Sequence, residues 1–285
     1  MTLPDIDPVI FQLGPVAIRW YALAYIAGIV LGWLYLGRLI RNESLWTPRQ
    51  PPVNTDQLDD LVVWMTLGII IGGRIGFILF YDMSLIWRDF FQVFMIQNGG
   101  MSFHGGFVGV VAATVIYARV KKFDLPQLLN LGDLLACAAP IGLFFGRIAN
   151  FINGELWGRE TTAPWGIIFC NSHTCSGGQG IVRHPSQLYE AATEGLILFA
   201  VAWYLAHVRK EFKRPGLITG VFIAGYGIFR ILIEMVREPD EQMWDFFKNV
   251  ITMGQTLSLL MVIAGAAFIW HALRKDSPST GKHVA

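Results

Sequence analysis

Seven long apolar runs constrain this sequence more than any other feature. They lie at residues 17–39, 58–81, 101–117, 127–145, 188–207, 216–236 and 250–273. A helix needs roughly 20 apolar residues to cross the hydrocarbon core of a bilayer. Charged residues make up 15% of the chain, whereas a typical soluble domain has roughly 25%. The sequence therefore predicts an all-α polytopic membrane protein with about seven transmembrane helices, built as one membrane-embedded domain over residues 1–285.

The charge balance and the cysteines narrow the possible classes of function. The formal net charge is +1 and no basic tail is present, so we expect no nucleic-acid partner. Asp5 and Asp7 stand where a cleavable signal peptide carries basic residues, which indicates that the start is not such a peptide. Cys137 is interpreted as a packing residue in an apolar run. Cys170 and Cys175 are expected to form a disulfide if their loop is extracytoplasmic, and the lack of a second ligand pair argues against zinc.

Basic residues in the connections predict the orientation. The connections after the first, third, fifth and seventh runs hold thirteen Lys and Arg residues, against seven on the opposite side. Because such residues concentrate in cytoplasmic loops, the N-terminus is predicted outside and the C-terminus inside. Residues 147–187, rich in Gly, Pro, Asn and Trp, then form an extracytoplasmic head between spans four and five. The short apolar run 87–96 cannot span and is interpreted as interfacial or re-entrant.

Several ionisable residues interrupt the apolar runs, where each costs roughly 2.5–3.5 kcal/mol at the centre of a span. Those considered as candidates for a site are Arg74, His104, Asp133, Arg230 and Glu234. Under the predicted orientation most of them fall near the outer ends of their spans, at the level of Tyr21, Arg147 and Asn150. Arginines gathered near lipid headgroups suit phosphate, because a guanidinium can donate two parallel hydrogen bonds to it.

Each of these residues also has a purely structural interpretation. Arg230 and Glu234 are four residues apart and could form a helical ion pair. Arg74 could extend its side chain to the membrane interface, and His104 could be a hydrogen-bonded structural group. The glycine pairs at 72–73 and 105–106 are typical of closely packed membrane helices. None of these alternatives explains why arginines from different spans should gather at one depth.

Longer motifs resemble those of a known family. Residues 146–158 read GRIANFINGELWG and match, position by position, the signature G-R-x-(G/A)-N-F-x-N-x-E-x-x-G of the prolipoprotein diacylglyceryl transferases. The family's other motifs are similar to GGMSFHGG at 99–106, RHPSQLYE at 183–190 and GYGIFR at 225–230, followed by Glu234 and REPD at 237–240. The resemblance covers nearly the whole chain, in the family's order. The stretch 170–180 departs from any fixed pattern.

The resemblance implies a seven-span enzyme of the bacterial inner membrane, with a periplasmic head and N-terminus and a cytoplasmic C-terminus. Its substrates would be phosphatidylglycerol and a prolipoprotein with a lipobox cysteine, and it would contact both among the membrane lipids. The resemblance implies no cofactor and no metal. The diacylglyceryl group would move to the cysteine thiol as a thioether and release glycerol phosphate, which is the first step of lipoprotein maturation.

The same resemblance implies the site. The residues expected to act in catalysis are His104, Arg147, Arg230 and Tyr21. Those expected to bind substrate are Arg147, Asn150, Glu155, Gly158, Arg230 and Glu234, to which Arg74 is added by its depth in the membrane. Charge gathers on the departing phosphate, so the arginines would stabilise the transition state more than the ground state.

Two roles for His104 stay open. As a general base it would take the proton of the thiol, and as a donor it would hydrogen-bond the phosphate. The base role is favoured because activation of a thiol needs a proton acceptor.

Two other functions compete. A secondary transporter would place its charges near the midplane between repeats, whereas here they lie towards one face and no repeat is found. A structural scaffold would tolerate the loss of its arginines without loss of lipoprotein processing.

Overall fold

Seven helices account for the seven apolar runs in this computed structural model. The structure describes residues 2–3, 6–7, 9–14, 16–95, 99–169, 180–238 and 253–274, with the side chains of Leu13, Val16, Phe103, His104 and Met253 excepted. Six of the described helices are long and apolar enough to cross a membrane, and a seventh is apolar but shorter. The predicted all-α polytopic fold is confirmed.

The bounds of the elements are as follows. The long helices are α1 Trp20–Arg41, α2 Thr55–Phe80, α5 Leu125–Ile152, α6 Ser186–Val208, α7 Leu217–Glu234 and α8 Met253–Arg274. The shorter apolar helix is α4 Phe103–Val120, and α3 Leu85–Arg88 precedes a 3-10 turn at Phe90–Phe94. The strands are β1 Thr2–Leu3, β2 Val9–Leu13, β3 Val16–Arg19, β4 Ile167–Phe169 and β5 Val182–Arg183.

The chain divides into two compact units, which are treated separately. The smaller unit is Pro51–Leu131, and the larger unit is Met1–Gln50 together with Gly132–Ala285. In the smaller unit α2 and α4 approach each other through glycines. A Cβ built on Gly72 would lie 2.4 Å from the Gly105 carbonyl oxygen, and one on Gly109 would lie 2.0 Å from that of Gly68. The interpretation as helix-packing residues is confirmed for Gly72 and Gly105, where any side chain would push the backbones apart, whereas a Cβ on Gly106 would meet its nearest atom at 3.6 Å.

Within the larger unit, a buried aspartate explains one of the charges in the apolar runs. Asp133, in α5, accepts hydrogen bonds from the backbone nitrogens of Gly216 and Thr219, both at 2.7 Å, and from the Thr219 hydroxyl at 2.9 Å. These donors lie at the start of α7, where the first N–H groups of a helix have no partner inside the helix. Asp133 therefore caps a neighbouring helix, and these hydrogen bonds offset the cost of removing its carboxyl group from water.

Two short sheets belong to the larger unit. Strand β1 pairs in parallel with β4, and β5 pairs antiparallel with the other side of β4. Strands β2 and β3 form an antiparallel hairpin. Because β3 occupies residues expected at the beginning of the first span, α1 starts three residues later than the apolar run, at Trp20.

Helices α5 and α6 flank the predicted head. Helix α5 continues to Ile152, so residues 147–152 of the predicted head are helical, and the described part beyond them contains β4 and β5. Helix α6 is irregular, with π-helical turns at Ala191–Ile197 and Tyr204–Val208. Cys137 is buried and free. The predicted disulfide between Cys170 and Cys175 lies outside the described residues and stays a prediction.

Candidate active site

Two carboxylates of α6 meet an arginine of α5. Arg147 Nε lies 3.0 Å from Glu190 Oε2, and Arg147 Nη2 lies 3.6 Å from Glu194 Oε2. Both glutamate side chains are fully buried, whereas 15% of the arginine side chain is exposed. The π-helical turn that follows Glu190 contains Glu194, so the two carboxylates reach the same guanidinium from successive turns of one helix.

Two more arginines contact the carboxylate of Glu190. Arg230, in α7, places Nη1 2.5 Å from Glu190 Oε1 and Nη2 3.3 Å from Glu234 Oε2. Arg237, after the end of α7, places Nε 3.8 Å from Glu190 Oε1. The ion pair expected between Arg230 and Glu234 is therefore present, but Glu190 is the nearer partner of Arg230. We call the six residues Arg147, Glu190, Glu194, Arg230, Glu234 and Arg237 the Glu190 cluster.

The charges of the Glu190 cluster balance, with three guanidiniums and three carboxylates. Pairing is what makes such burial tolerable, because an isolated charge would lose its hydration without compensation. A guanidinium has five N–H donors, more than the two nitrogens that Arg147 and Arg230 each direct to carboxylates. Each of these two arginines can therefore also donate to an anion.

Gly158 positions Arg237 through the backbone. The two residues form an isolated antiparallel β-bridge. Gly158 N donates to His184 O at 2.8 Å, and Arg159 Nε donates to Arg237 O at 2.9 Å. A Cβ on Gly158 would lie 2.5 Å from the Val236 carbonyl oxygen. A glycine is required here because the strands of the bridge leave no space for a side chain.

A second polar group joins the end of α5 to α1. Asn150 Nδ2 donates to the Tyr21 hydroxyl and to Glu155 Oε1, both at 3.0 Å. Asn150 is three residues after Arg147, so the two side chains lie on one face of the helix. Gln187 Nε2, at the start of α6, donates to the Glu155 carbonyl oxygen at 2.6 Å. The signature motif thus brings Tyr21, Asn150 and Glu155 together.

Arg74 is held by the backbone of its own unit. Its Nε donates to Val93 O at 2.8 Å, and its Nη1 donates to Gly99 O at 2.8 Å and Gly100 O at 3.0 Å. Its Nη2 donates to Gln92 O. Four carbonyls of the segment between α3 and α4 therefore share one guanidinium, which fixes that segment against α2. A contact between Arg74 and substrate stays a prediction.

His104 is the second residue of α4, but its side chain lies outside the described part of the structure. Its role in catalysis stays a prediction.

Sequence reasoning missed three members of the Glu190 cluster. Glu190 and Arg237 were visible as the last letter of RHPSQLYE and the first of REPD, but were not assigned to the site. Glu194 carried the signal that identified the other charges, because it interrupts the fifth apolar run.

Comparison with known proteins extends the resemblance. The family model "Prolipoprotein diacylglyceryl transferase" matches residues 8–271. A relative from Phenylobacterium zucineum is 51% identical over 284 residues, covering 98% of this chain and 96% of its own. A relative from Rhizobium meliloti is 50% identical, with 97% and 95% covered, and one from Nitrobacter winogradskyi is 50% identical, with 97% and 92% covered. All three are named phosphatidylglycerol–prolipoprotein diacylglyceryl transferase. This chain belongs to the prolipoprotein diacylglyceryl transferase family.

Proposed function

We propose that this multi-pass membrane protein transfers the diacylglyceryl group of phosphatidylglycerol to the thiol of a prolipoprotein's lipobox cysteine. One observation carries the proposal: relatives named phosphatidylglycerol–prolipoprotein diacylglyceryl transferase are about half identical to this chain over nearly all of its length. The Glu190 cluster supports it, because membrane-embedded guanidiniums are suited to a phosphate-bearing lipid.

The reaction breaks one carbon–oxygen bond and forms one carbon–sulfur bond. The thiolate sulfur attacks the glycerol carbon of the diacylglyceryl group that carries the phosphate. The electron pair of the broken bond stays on the phosphate oxygen, and glycerol phosphate leaves. Its phosphate gains negative charge during this step, so preorganised guanidiniums act on the transition state more strongly than on the substrate. We assign this role to Arg147 and Arg230.

The remaining site residues are proposed to hold the substrates. Asn150 and Glu155, together with Tyr21, form a hydrogen-bonded group next to Arg147 along α5. Glu234 fixes Arg230 from the next turn of α7. Gly158 acts through the backbone bridge to Arg237. The thiol must lose its proton before it attacks, and His104 is the proposed acceptor, with hydrogen bonding to the phosphate as its alternative role.

The proposed site faces the outer leaflet of the bacterial inner membrane. The N-terminus and the head at residues 147–187 are proposed to be periplasmic, because the basic residues concentrate in the connections of the other face. Both substrates would then arrive laterally, one as a lipid and the other anchored by its signal peptide.

The direct test uses purified protein, phosphatidylglycerol labelled in its acyl chains and a lipobox peptide. We expect a labelled peptide whose mass has increased by a diacylglyceryl group and whose bond resists the hydroxylamine treatment that cleaves thioesters. A matched peptide with serine at the lipobox cysteine should stay unmodified. If the parent protein with both substrates yields no thioether product, the proposed function is wrong.

A further inference from the structure

Three guanidiniums from separate segments converge on one fully buried carboxylate. Glu190 lies 3.0 Å from Arg147 of α5, 2.5 Å from Arg230 of α7 and 3.8 Å from Arg237 after α7. We propose that Glu190 is a positioning residue that holds these three guanidiniums in place for the phosphate of the lipid substrate. The proposal rests on the proposed function and gives Glu190 a part in that reaction although it touches neither substrate.

Glu190 differs from the other two carboxylates of the cluster in what it connects. Glu194 lies 3.6 Å from Arg147, and Glu234 lies 3.3 Å from Arg230. Each of these distances is longer than the one between the same arginine and Glu190. The shared carboxylate is the one that fixes the arginines relative to one another.

Electrostatics explains why a shared carboxylate is needed. Guanidiniums near one another repel, and the repulsion is strong where water is excluded. A carboxylate between them offsets that repulsion before the substrate arrives, so the arginines do not need to move when the phosphate binds. Donors that are already in place cost no reorganisation during the reaction, and this accounts for much of their catalytic effect.

The local backbone makes Glu190 suited to this role. It is the last residue of the regular turn Ser186–Glu190, and the π-helical turn Ala191–Ile197 follows at once. Turns of this kind are rare and occur frequently at functional sites. The turn before it is fixed as well, since Ser186 Oγ donates to the Leu156 carbonyl oxygen at 3.0 Å. Glu190 thus projects from a helix that is attached to the signature segment.

Charge counting gives the positioning role a kinetic signature. Glu190→Gln changes the formal charge of the cluster from zero to +1. An anion should then bind more tightly, while the guanidiniums lose the contact that orients them. We expect kcat per folded molecule to fall about 10- to 100-fold. We expect the inhibition constant of added glycerol phosphate to fall about tenfold. A residue needed only for folding would lower the folded fraction and leave both quantities unchanged.

The chain offers a matched control. Glu211 is another buried glutamate with two arginine partners, Arg209 at 3.5 Å and Arg214 at 3.2 Å, and 3% of its side chain is exposed. It lies outside the Glu190 cluster. Glu211→Gln should destabilise the protein to a similar extent and keep the parental kcat per folded molecule and the parental inhibition constant.

The experiment measures kcat, KM for phosphatidylglycerol and inhibition by glycerol phosphate in the two Gln variants and in Glu190→Asp. The folded fraction is determined by gel filtration. Glu190→Asp keeps the charge on a side chain one methylene shorter, so we expect the parental inhibition constant with a reduced kcat. This variant also provides the test if Glu190→Gln does not fold, and a parental kcat in Glu190→Asp then overturns the proposal.

The two proposals fail in different ways. If the parent makes no thioether product, the proposed function fails. If the parent makes the product and Glu190→Gln behaves like Glu211→Gln, the function stands and the positioning role of Glu190 is overturned.

Discussion

At the scale of single residues, Arg147 and Arg230 test whether charge alone is sufficient. Each directs two different nitrogens to two different carboxylates, which a lysine ammonium cannot reproduce from one point. We expect Arg147→Ala and Arg230→Ala to abolish transfer, and the Lys variants to retain about 1–10% of the activity. Transfer assays on membrane fractions with equal amounts of protein measure this. Full activity in either Lys variant would show that the planar guanidinium is not needed.

The pH dependence of transfer distinguishes the two roles of His104. If His104 is the base, its neutral form is the active one, and the rate falls as the pH drops and the imidazole becomes protonated. His104→Gln should then lose activity across the whole range. If His104 donates to the phosphate instead, Gln should retain substantial activity with the acid limb unchanged. A peptide whose thiol is already ionised serves as the control, since its rate should not need the base.

Gly158 gives a prediction about space. A methyl group at this position would lie 2.5 Å from the Val236 carbonyl oxygen and 2.7 Å from the His184 Cβ. Gly158→Ala should therefore break the bridge that positions Arg237 and reduce transfer by about tenfold or more. Gly142→Ala is the control, because a Cβ on Gly142 has no atom within 4 Å. Equal activity of the two variants would show that the bridge at Gly158 is not needed for the activity of the Glu190 cluster.

At the scale of elements, the helices could be predicted from the sequence, whereas several ends and pairings could not. Apolar runs locate spans because the bilayer needs about 20 such residues. They do not reveal that β3 takes the beginning of the first run, or that α5 continues through Arg147. The hairpin depends on the turn between β2 and β3, and the polar end of α5 depends on contacts with residues distant in sequence, such as Tyr21 and Glu190. The apolar periodicity records neither.

The same limit applies to the site. Charges inside apolar runs identified Arg230 and Glu234, because each is costly unless it is paired. The partner that joins the arginines, Glu190, lies near the start of the fifth run, and its place in the run does not show which charges of other helices it meets. Its importance follows from the meeting of α5, α6 and α7 around it, which is a property of the tertiary fold.

Packing of α2 on α4 gives a prediction about stability. Gly72→Ala would place a methyl group 2.4 Å from the Gly105 carbonyl oxygen. The two helices must then separate, and we expect the variant to be destabilised by about 1–3 kcal/mol. On the facing helix, Gly106→Ala is the control, since its Cβ would meet the nearest atom at an ordinary 3.6 Å. Thermal unfolding in detergent compares them, and equal melting temperatures would contradict the close approach.

At the scale of the whole molecule, exposed apolar surface agrees with a bilayer environment. Many large apolar side chains on the long helices are about half exposed or more, including Ile26, Leu67 and Leu260. Such a surface on a soluble protein would drive association. The aromatic side chains of α3 and of the 3-10 turn after it are exposed as well, with Trp87, Phe91 and Phe94 prominent. Trp side chains favour the interface between lipid and water, and the interpretation of residues 87–96 as an interfacial segment remains our prediction.

Orientation is the property of the whole molecule that is easiest to contradict. A reporter fused after Ala285 should be cytoplasmic and one inserted at Gly177 periplasmic, because thirteen basic residues flank the first face and seven the second. A third reporter, inserted between Lys121 and Lys122, should agree with the C-terminal one and controls for disruption by the insertion. Paired alkaline phosphatase and fluorescent-protein fusions give opposite signals on the two sides. If the Ala285 and Gly177 reporters indicate the same side, the number of spans between them is even and the proposed orientation is wrong. The position of the head is then wrong if both are cytoplasmic, and that of the C-terminus if both are periplasmic.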